Sequence, residues 1–241
     1  MFKKIFSILL FGLFFCLMAV NVSGQSMPRP ENLPKYDVRP YHFGFLLGAN
    51  KMDFTIRNKD NFNQYDSLMK ITPAPQMGFN IGIVSNLKLG SHFDLRFIPA
   101  LAFGERRLNY TLLQHDTMLV TQEKKIESTF IDFPLMLKYK SARFWVNSRS
   151  YVISGIKYSV DLASQAGKKD MNNNDLVKLK KNDLSYEFGV GFDFYLEYFK
   201  FAIEIKMAYG VKDLLVRDNT VYTNSIDRLH SKITTISFLF E

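Results

Sequence analysis

The sequence holds a single cysteine, Cys16, inside an apolar segment near the N-terminus. No disulfide framework can form, and once that segment is removed no thiol chemistry remains. Histidine is scarce too: His42, His92, His115 and His230 stand far apart, none at metal-ligand spacing from another. No metal or cofactor site is expected. There is no G-x-S-x-G, and Gly189-Val190-Gly191 lies inside an alternating stretch with no helix after it, which reads as packing and not as a phosphate cradle. After residue 24 no apolar run is long enough for a membrane helix.

The N-terminus reads MFKKIFSILLFGLFFCLMAVNVSGQ. Lys3 and Lys4 precede an apolar run from Ile5 to Val20, and the small residues Val22-Ser23-Gly24 follow. This is the pattern of a secretory signal peptide over residues 1–24. The run is about 16 residues, short of the ~20 of a spanning helix. LFFC lacks the small residues that precede a lipidated cysteine. Losing Lys3 and Lys4 takes two from the formal net charge of +8 and leaves +6. In an exported chain that charge does not point to nucleic acid; phosphate-rich lipopolysaccharide or anionic lipid fits it better, with solubilised loops as the bland reading. Residues 25–40, QSMPRPENLPKYDVRP, carry four of the eight prolines and read as an extended, periplasmic lead-in.

From Tyr41 to the end the chain alternates with period 2, the signature of strands. In FGVGFDFYLEYFKFAIEIKMAYG, residues 188–210, Phe188, Val190, Phe192, Phe194 and Leu196 face one way, and Phe199, Phe201, Ile203, Ile205, Met207 and Tyr209 do so after a short join. Glycines and charged groups fill the opposite face. Similar stretches begin at Tyr41, Met77, Phe93, Ile131 and Lys232; an eighth, near 143–158, is too irregular for its faces to be assigned. Connections alternate: long and polar at roughly 51–75, 104–126, 159–183 and 213–230, short near 89–91, 140–142 and 197–199. A soluble sandwich has no reason to sort loops this way. An outer-membrane barrel has long extracellular loops and short periplasmic turns. The expected fold is an all-β, eight-stranded antiparallel up-and-down transmembrane barrel over residues 41–241, with both termini periplasmic. Tyr139, Phe144, Trp145, Tyr195, Tyr198 and Phe199 would form one aromatic girdle, and Tyr110, Tyr158, Tyr186 and Tyr209 the other. Asp94, Arg96, Asp193, Glu197, Lys200, Glu204 and Lys206 would face a narrow lumen as a packed polar core.

YHFGFLLGANKMDFTIRN as first strand and loop, and FIDFPLMLKYK in the middle, resemble the PorT family, also called SprT in gliding Bacteroidetes. IDFPLMLKY is similar to the I-P-L-L-L-K-Y signature of the wider barrel group. The chain departs from many outer-membrane barrels in having Glu241 after Phe240. The resemblance implies a non-enzymatic role in type IX secretion, the export of cargo with C-terminal sorting domains, through contacts with other secretion-system proteins. It carries over no catalytic residue.

Two sites remain for other readings. His115-Asp116, in a long loop, is the one visible pair for a barrel enzyme, against a solvated dipeptide. Lys168, Lys169, Lys178, Lys180 and Lys181 would contact lipopolysaccharide phosphates or a partner, against a solvated loop favoured by Asn172-Asn173-Asn174. The alternatives to secretion are a small structural, ligand-binding or transport barrel, or a lipid- or protein-modifying enzyme.

Overall fold

The computed structural model describes residues 30–59, 68–114, 118–164, 178–217, 223 and 225–241. The expected signal peptide, His115-Asp116, Lys168 and Lys169 lie outside them. A 3-10 turn, Tyr36–Val38, precedes nine strands: β1 (Tyr41–Asn58), β2 (Leu68–Lys88), β3 (Phe93–Phe97), β4 (Ala100–Gln114), β5 (Met118–Lys140), β6 (Ser148–Asp161), β7 (Asn182–Tyr195), β8 (Lys200–Gly210) and β9 (Ile226–Phe240). All pairings are antiparallel, and β1 pairs with both β2 and β9, which closes the sheet. The ring has eight positions because β3 and β4 share one, between β2 and β5. They are one expected strand interrupted at Ile98-Pro99. Pro99 has no N–H to give the ladder. Ile98 donates to the carbonyl of Pro134 on β5, and Pro99 accepts from Ile83 on β2.

Alternation decides which side meets lipid. On β5 the outward residues Ile131, Phe133, Leu135, Leu137 and Tyr139 alternate with buried Asp132, Met136, Lys138 and Lys140. Outward aromatics stack across the seam that closes the ring, Phe45 on Phe240 with centroids 4.8 Å apart. From Tyr139 to Thr129 is about ten residues, which at ~3.3 Å each and a ~40° tilt spans roughly 25 Å, the height of an outer-membrane apolar band.

Above the band the pattern inverts. On β1 the apolar residues Phe43, Phe45 and Leu47 point out, whereas further on Met52 and Phe54 point in and Lys51, Thr55 and Arg57 point out. β4 makes the same change between Phe103 and Leu108, and β9 between Ile236 and Ile233. The far part of the barrel therefore has a polar outside and an apolar inside, as a barrel standing in water should. This corrects the expected loop lengths. Most of 51–75 and 104–126 is strand, because β1 runs to Asn58, β2 starts at Leu68, β4 runs to Gln114 and β5 starts at Met118.

Two girdle assignments also change. Tyr110 lies above the inversion and is 0 % exposed, so it faces the interior. Tyr195 is in the inward phase of β7 and is buried. Tyr139, Trp145, Tyr198 and Phe199 at the turn end, and Tyr158, Tyr186 and Tyr209 at the other edge, are exposed. The irregular stretch near 143–158 resolves as β6, with Tyr151, Ile153, Lys157, Ser159 and Asp161 inward.

Candidate functional site: a filled and doubly sealed interior

The barrel interior gathers most of the chain's unusual chemistry. Near the turn end Lys140 holds Asp94 through both oxygens at 2.8 and 3.0 Å, and Asn86 adds a bond to the same carboxylate. Lys138 donates to Asp193 at 2.6 Å, with its ammonium 3.6 Å from the centre of the Tyr151 ring. Arg96 forks between Glu204 at 3.0 Å and Glu241 at 3.2 Å. Tyr151 donates its phenol proton to the Glu204 oxygen that Arg96 uses. Lys206 lies between Glu204 and Glu187, at 3.4 and 3.5 Å. Higher up, Lys157 and Ser159 meet Asp132, and Arg106 meets Asp161, Ser128 and Ser231 beneath the rings of Phe54 and Phe130.

Arg96 and Glu204 are each 0 % exposed, so no water column passes beside this pair. Isolated charges could not stay in such a place. Opposite charges with further hydrogen bonds can. Glycine makes room for them. Gly191 faces Tyr151 across the β6–β7 ladder, and a Cβ there would stand 2.4 Å from the Tyr151 ring.

Residues 32–40 close the turn end. The Asp37 carboxylate accepts from Arg143 at 2.9 and 3.2 Å and from Arg149 at 2.9 Å on each oxygen. Burial alone would push this carboxyl up, but Arg149 and Arg143 outweigh it and hold it below the usual carboxylate range. Tyr36 stacks on His42 at 3.8 Å, meets Tyr195 edge-on and donates to Glu241 at 2.8 Å. Burial and the Glu241 carboxylate push its phenol up, so it remains a donor. Lys200 completes the group on Glu241 at 2.8 Å. The proline-rich lead-in is thus a fitted strap over this stretch, not an extended tail.

The three non-glycine residues with positive φ among those described, Leu33, Trp145 and Val146, all lie here. For the β-branched Val146 this backbone is strained. Arg143 holds the arrangement by donating to the carbonyls of Asn32 and Leu33 while stacking 3.9 Å from the Tyr195 ring centre.

The far end is closed differently. Leu179 from the β6–β7 connection and Leu214 and Leu215 from the β8–β9 connection pack on Phe54, Ile71, Leu108, Tyr110, Ile226 and Leu229. A short bridge, Leu179 with Leu215, ties the two connections together. Of the five lysines singled out in the β6–β7 connection, Lys178, Lys180 and Lys181 are among the described residues. Lys180 donates to the Asp213 carbonyl at 2.9 Å, and Lys181 is exposed.

Six of the seven residues expected in the lumen, Asp94, Arg96, Asp193, Lys200, Glu204 and Lys206, are buried together. Glu197 is not. It sits exposed in the turn between β7 and β8, where the chain has left the sheet and alternation no longer sets direction. Sequence reasoning missed Asp132, Lys138, Lys140, Lys157, Glu187, Arg106, Asp161 and Glu241. The first three stood in IDFPLMLKYK, on the face opposite its apolar row.

A closed antiparallel barrel with an apolar band outside and paired charges inside is an integral outer-membrane β-barrel. The chain belongs to the outer membrane protein beta-barrel domain family, whose model matches residues 24–216. Solved structures with similarity include the N-terminal β-barrel domain of Pseudomonas aeruginosa OprF, 14 % identical, covering 80 % of this chain and 96 % of that one, TM-score 0.32. Neisserial surface protein A is 9 % identical over 83 % and 98 % of the two chains, TM-score 0.40. Ail of Yersinia pestis, solved with the heparin analogue sucrose octasulfate, is 11 % identical over 83 % and 97 %, TM-score 0.35. No curated protein matches the chain.

Proposed function

We propose that this barrel is a non-enzymatic component of type IX secretion, required for export of cargo with C-terminal sorting domains and acting through contacts with other secretion proteins. The observation that carries the reading is the filled interior. With Arg96 and Glu204 fully buried and both mouths covered by packed side chains, the molecule has its outer surfaces left to act with. The resemblance of residues 41–58 and 130–140 to the PorT family supplies the pathway. In this reading the strap and short turns are periplasmic, and the long hairpins β1–β2 and β4–β5 are extracellular. The inward tie of Asp37 and the water-adapted far half of the barrel both suit that orientation.

Deleting the gene tests the proposal. Cargo proteins with C-terminal sorting domains should accumulate unprocessed in the periplasm, and a plasmid copy should restore export. Normal export would leave a structural or ligand-binding outer-membrane barrel. A plasmid copy with His115→Ala and Asp116→Ala should also restore export. Failure of that copy alone, with the barrel folded, would favour an enzyme.

A further inference from the structure

The charged outer surface above the apolar band is uneven. On the β4–β5 side charges are knitted together: Arg107 with Glu105 and with Glu123 at 2.9 Å, Lys125 with Glu105 at 2.8 Å and Glu127 at 3.6 Å. On the β1–β9 side cations outnumber the acids that face them. Lys51, Arg57, Arg228 and Lys232 project outward there, since Met52, Phe54, Leu229, Ser231 and Ile233 between them point in. Arg57 and Arg228 stand directly opposite each other in the ladder. Like charges so placed repel. The groups nearest both are one and the same oxygen, Oδ2 of Asp227, at 3.6 and 3.9 Å. Arg217 joins them through the Asp227 carbonyl at 2.7 Å, but it is already paired with the Asp213 carboxylate at 3.4 Å. The side chains of Arg57 and Arg228 remain 69 % and 59 % exposed. The carboxylate of Asp53, opposite Lys232, is turned to the backbone N–H of Phe54.

Depth points to what would neutralise this excess. Ala49 and Ile236, a register pair, top the apolar band on these strands, and Lys51 opposite Thr234 is the next outward pair. Lys232 follows, its ammonium 5.8 Å from the Tyr209 ring centre. Arg57 is about six residues beyond Lys51, roughly 15 Å higher at the usual rise and tilt. The lower lysines therefore stand where lipid phosphates begin, and the arginines where acidic sugars of a large head group would reach.

We propose that the outer face of β1 and β9 binds a phosphorylated glycolipid of the outer leaflet, its phosphates on Lys51 and Lys232 and its anionic sugars on Arg57 and Arg228. The site rests on the orientation proposed above. It differs from the Lys168–Lys181 segment singled out in the sequence. Cations at an anionic membrane surface act additively, so four of them separate binding from non-binding by tenfold or more.

The test uses detergent-purified full-length barrel with bisphosphorylated lipopolysaccharide, its dephosphorylated form, phosphatidylglycerol and soluble heparin as probes, with binding read by native mass spectrometry. The quadruple variant K51Q/R57Q/R228Q/K232Q should bind the phosphorylated glycolipid at least tenfold more weakly. The R107Q/K125Q control should bind it like the wild type. Heat-dependent gel migration verifies that each variant is folded, and Arg228→Gln alone should fold at least as well as the wild type. Equal binding by the quadruple variant, equal loss in the control, or equal affinity for phosphatidylglycerol or heparin would overturn the site. Orientation is read separately, by labelling Thr55→Cys on intact cells with an impermeant maleimide. No labelling sinks the orientation and the site with it. Labelling without glycolipid discrimination sinks the site alone.

Discussion

Glu204 accepts from Arg96 and Tyr151 and lies 3.4 Å from Lys206, all four buried. Removing one partner leaves the others charged and uncompensated. Arg96→Ala should therefore destabilise the barrel by about 3–5 kcal/mol. A companion change, Arg96→Ala with Glu204→Gln, should cost less than the sum of the two single changes, because the buried charges leave together. Urea unfolding in lipid vesicles measures both, and additive losses would mean the pair is not coupled. Gly191→Ala acts by volume. Its methyl group would displace the Tyr151 ring and with it a bond to Glu204, at about 1–3 kcal/mol for overpacking. Adding Tyr151→Phe should not relieve the loss, since the ring itself is in the way. Tyr151→Ala should.

At the scale of elements, the strap over residues 32–40 depends on Asp37. Its carboxyl lies lower in the folded protein than in an unfolded chain. The contribution is therefore present above the unfolded value, near 3.9, and is lost as pH falls through the folded one. Pepsin should leave the strap uncut near pH 5 and cut it near pH 2, while the strands stay protected. Asp37→Asn should be cut at both. A strap cut equally at both pH values in the wild type would show that the ion pairs do not hold it.

Strand identity was legible at this scale wherever one face met lipid, because the apolar rows of β5, β7 and β8 are unbroken. What escaped was the part of each hairpin beyond the lipid. There the apolar set moves from odd to even positions, so Met52 and Phe54 continue β1 in the opposite sense and resemble an end of the pattern. The strap escaped for another reason. Prolines mark 25–40 as non-strand, but nothing local says that Tyr36 finds Glu241 or that Asp37 finds Arg143 and Arg149, over a hundred residues away in the chain. Within the interior, Lys157 and Asp161 on β6 and Arg106 past the inversion had no clean row to mark them, whereas Asp132, Lys138 and Lys140 on β5 and Glu187 on β7 stood opposite clean apolar rows and were legible there.

The whole molecule is blocked three times along its axis: by the strap, by the Arg96–Glu204 level and by the leucines of the far end. Purified protein in planar bilayers should show no conductance steps. Deleting residues 32–40 should leave it silent, since two blocks remain. Steps in either protein would mean that the interior opens in a membrane, and the transport reading would return.

The strap also has a place in time. Tyr36 touches His42 at the start of β1 and Glu241 just after β9, the two strands whose pairing closes the ring. Until that seam zips, the strap has only half of its seat. During insertion it should therefore be the last piece to become resistant to protease, and its protection would serve as a clock for completed assembly, separable from the earlier formation of the hairpins.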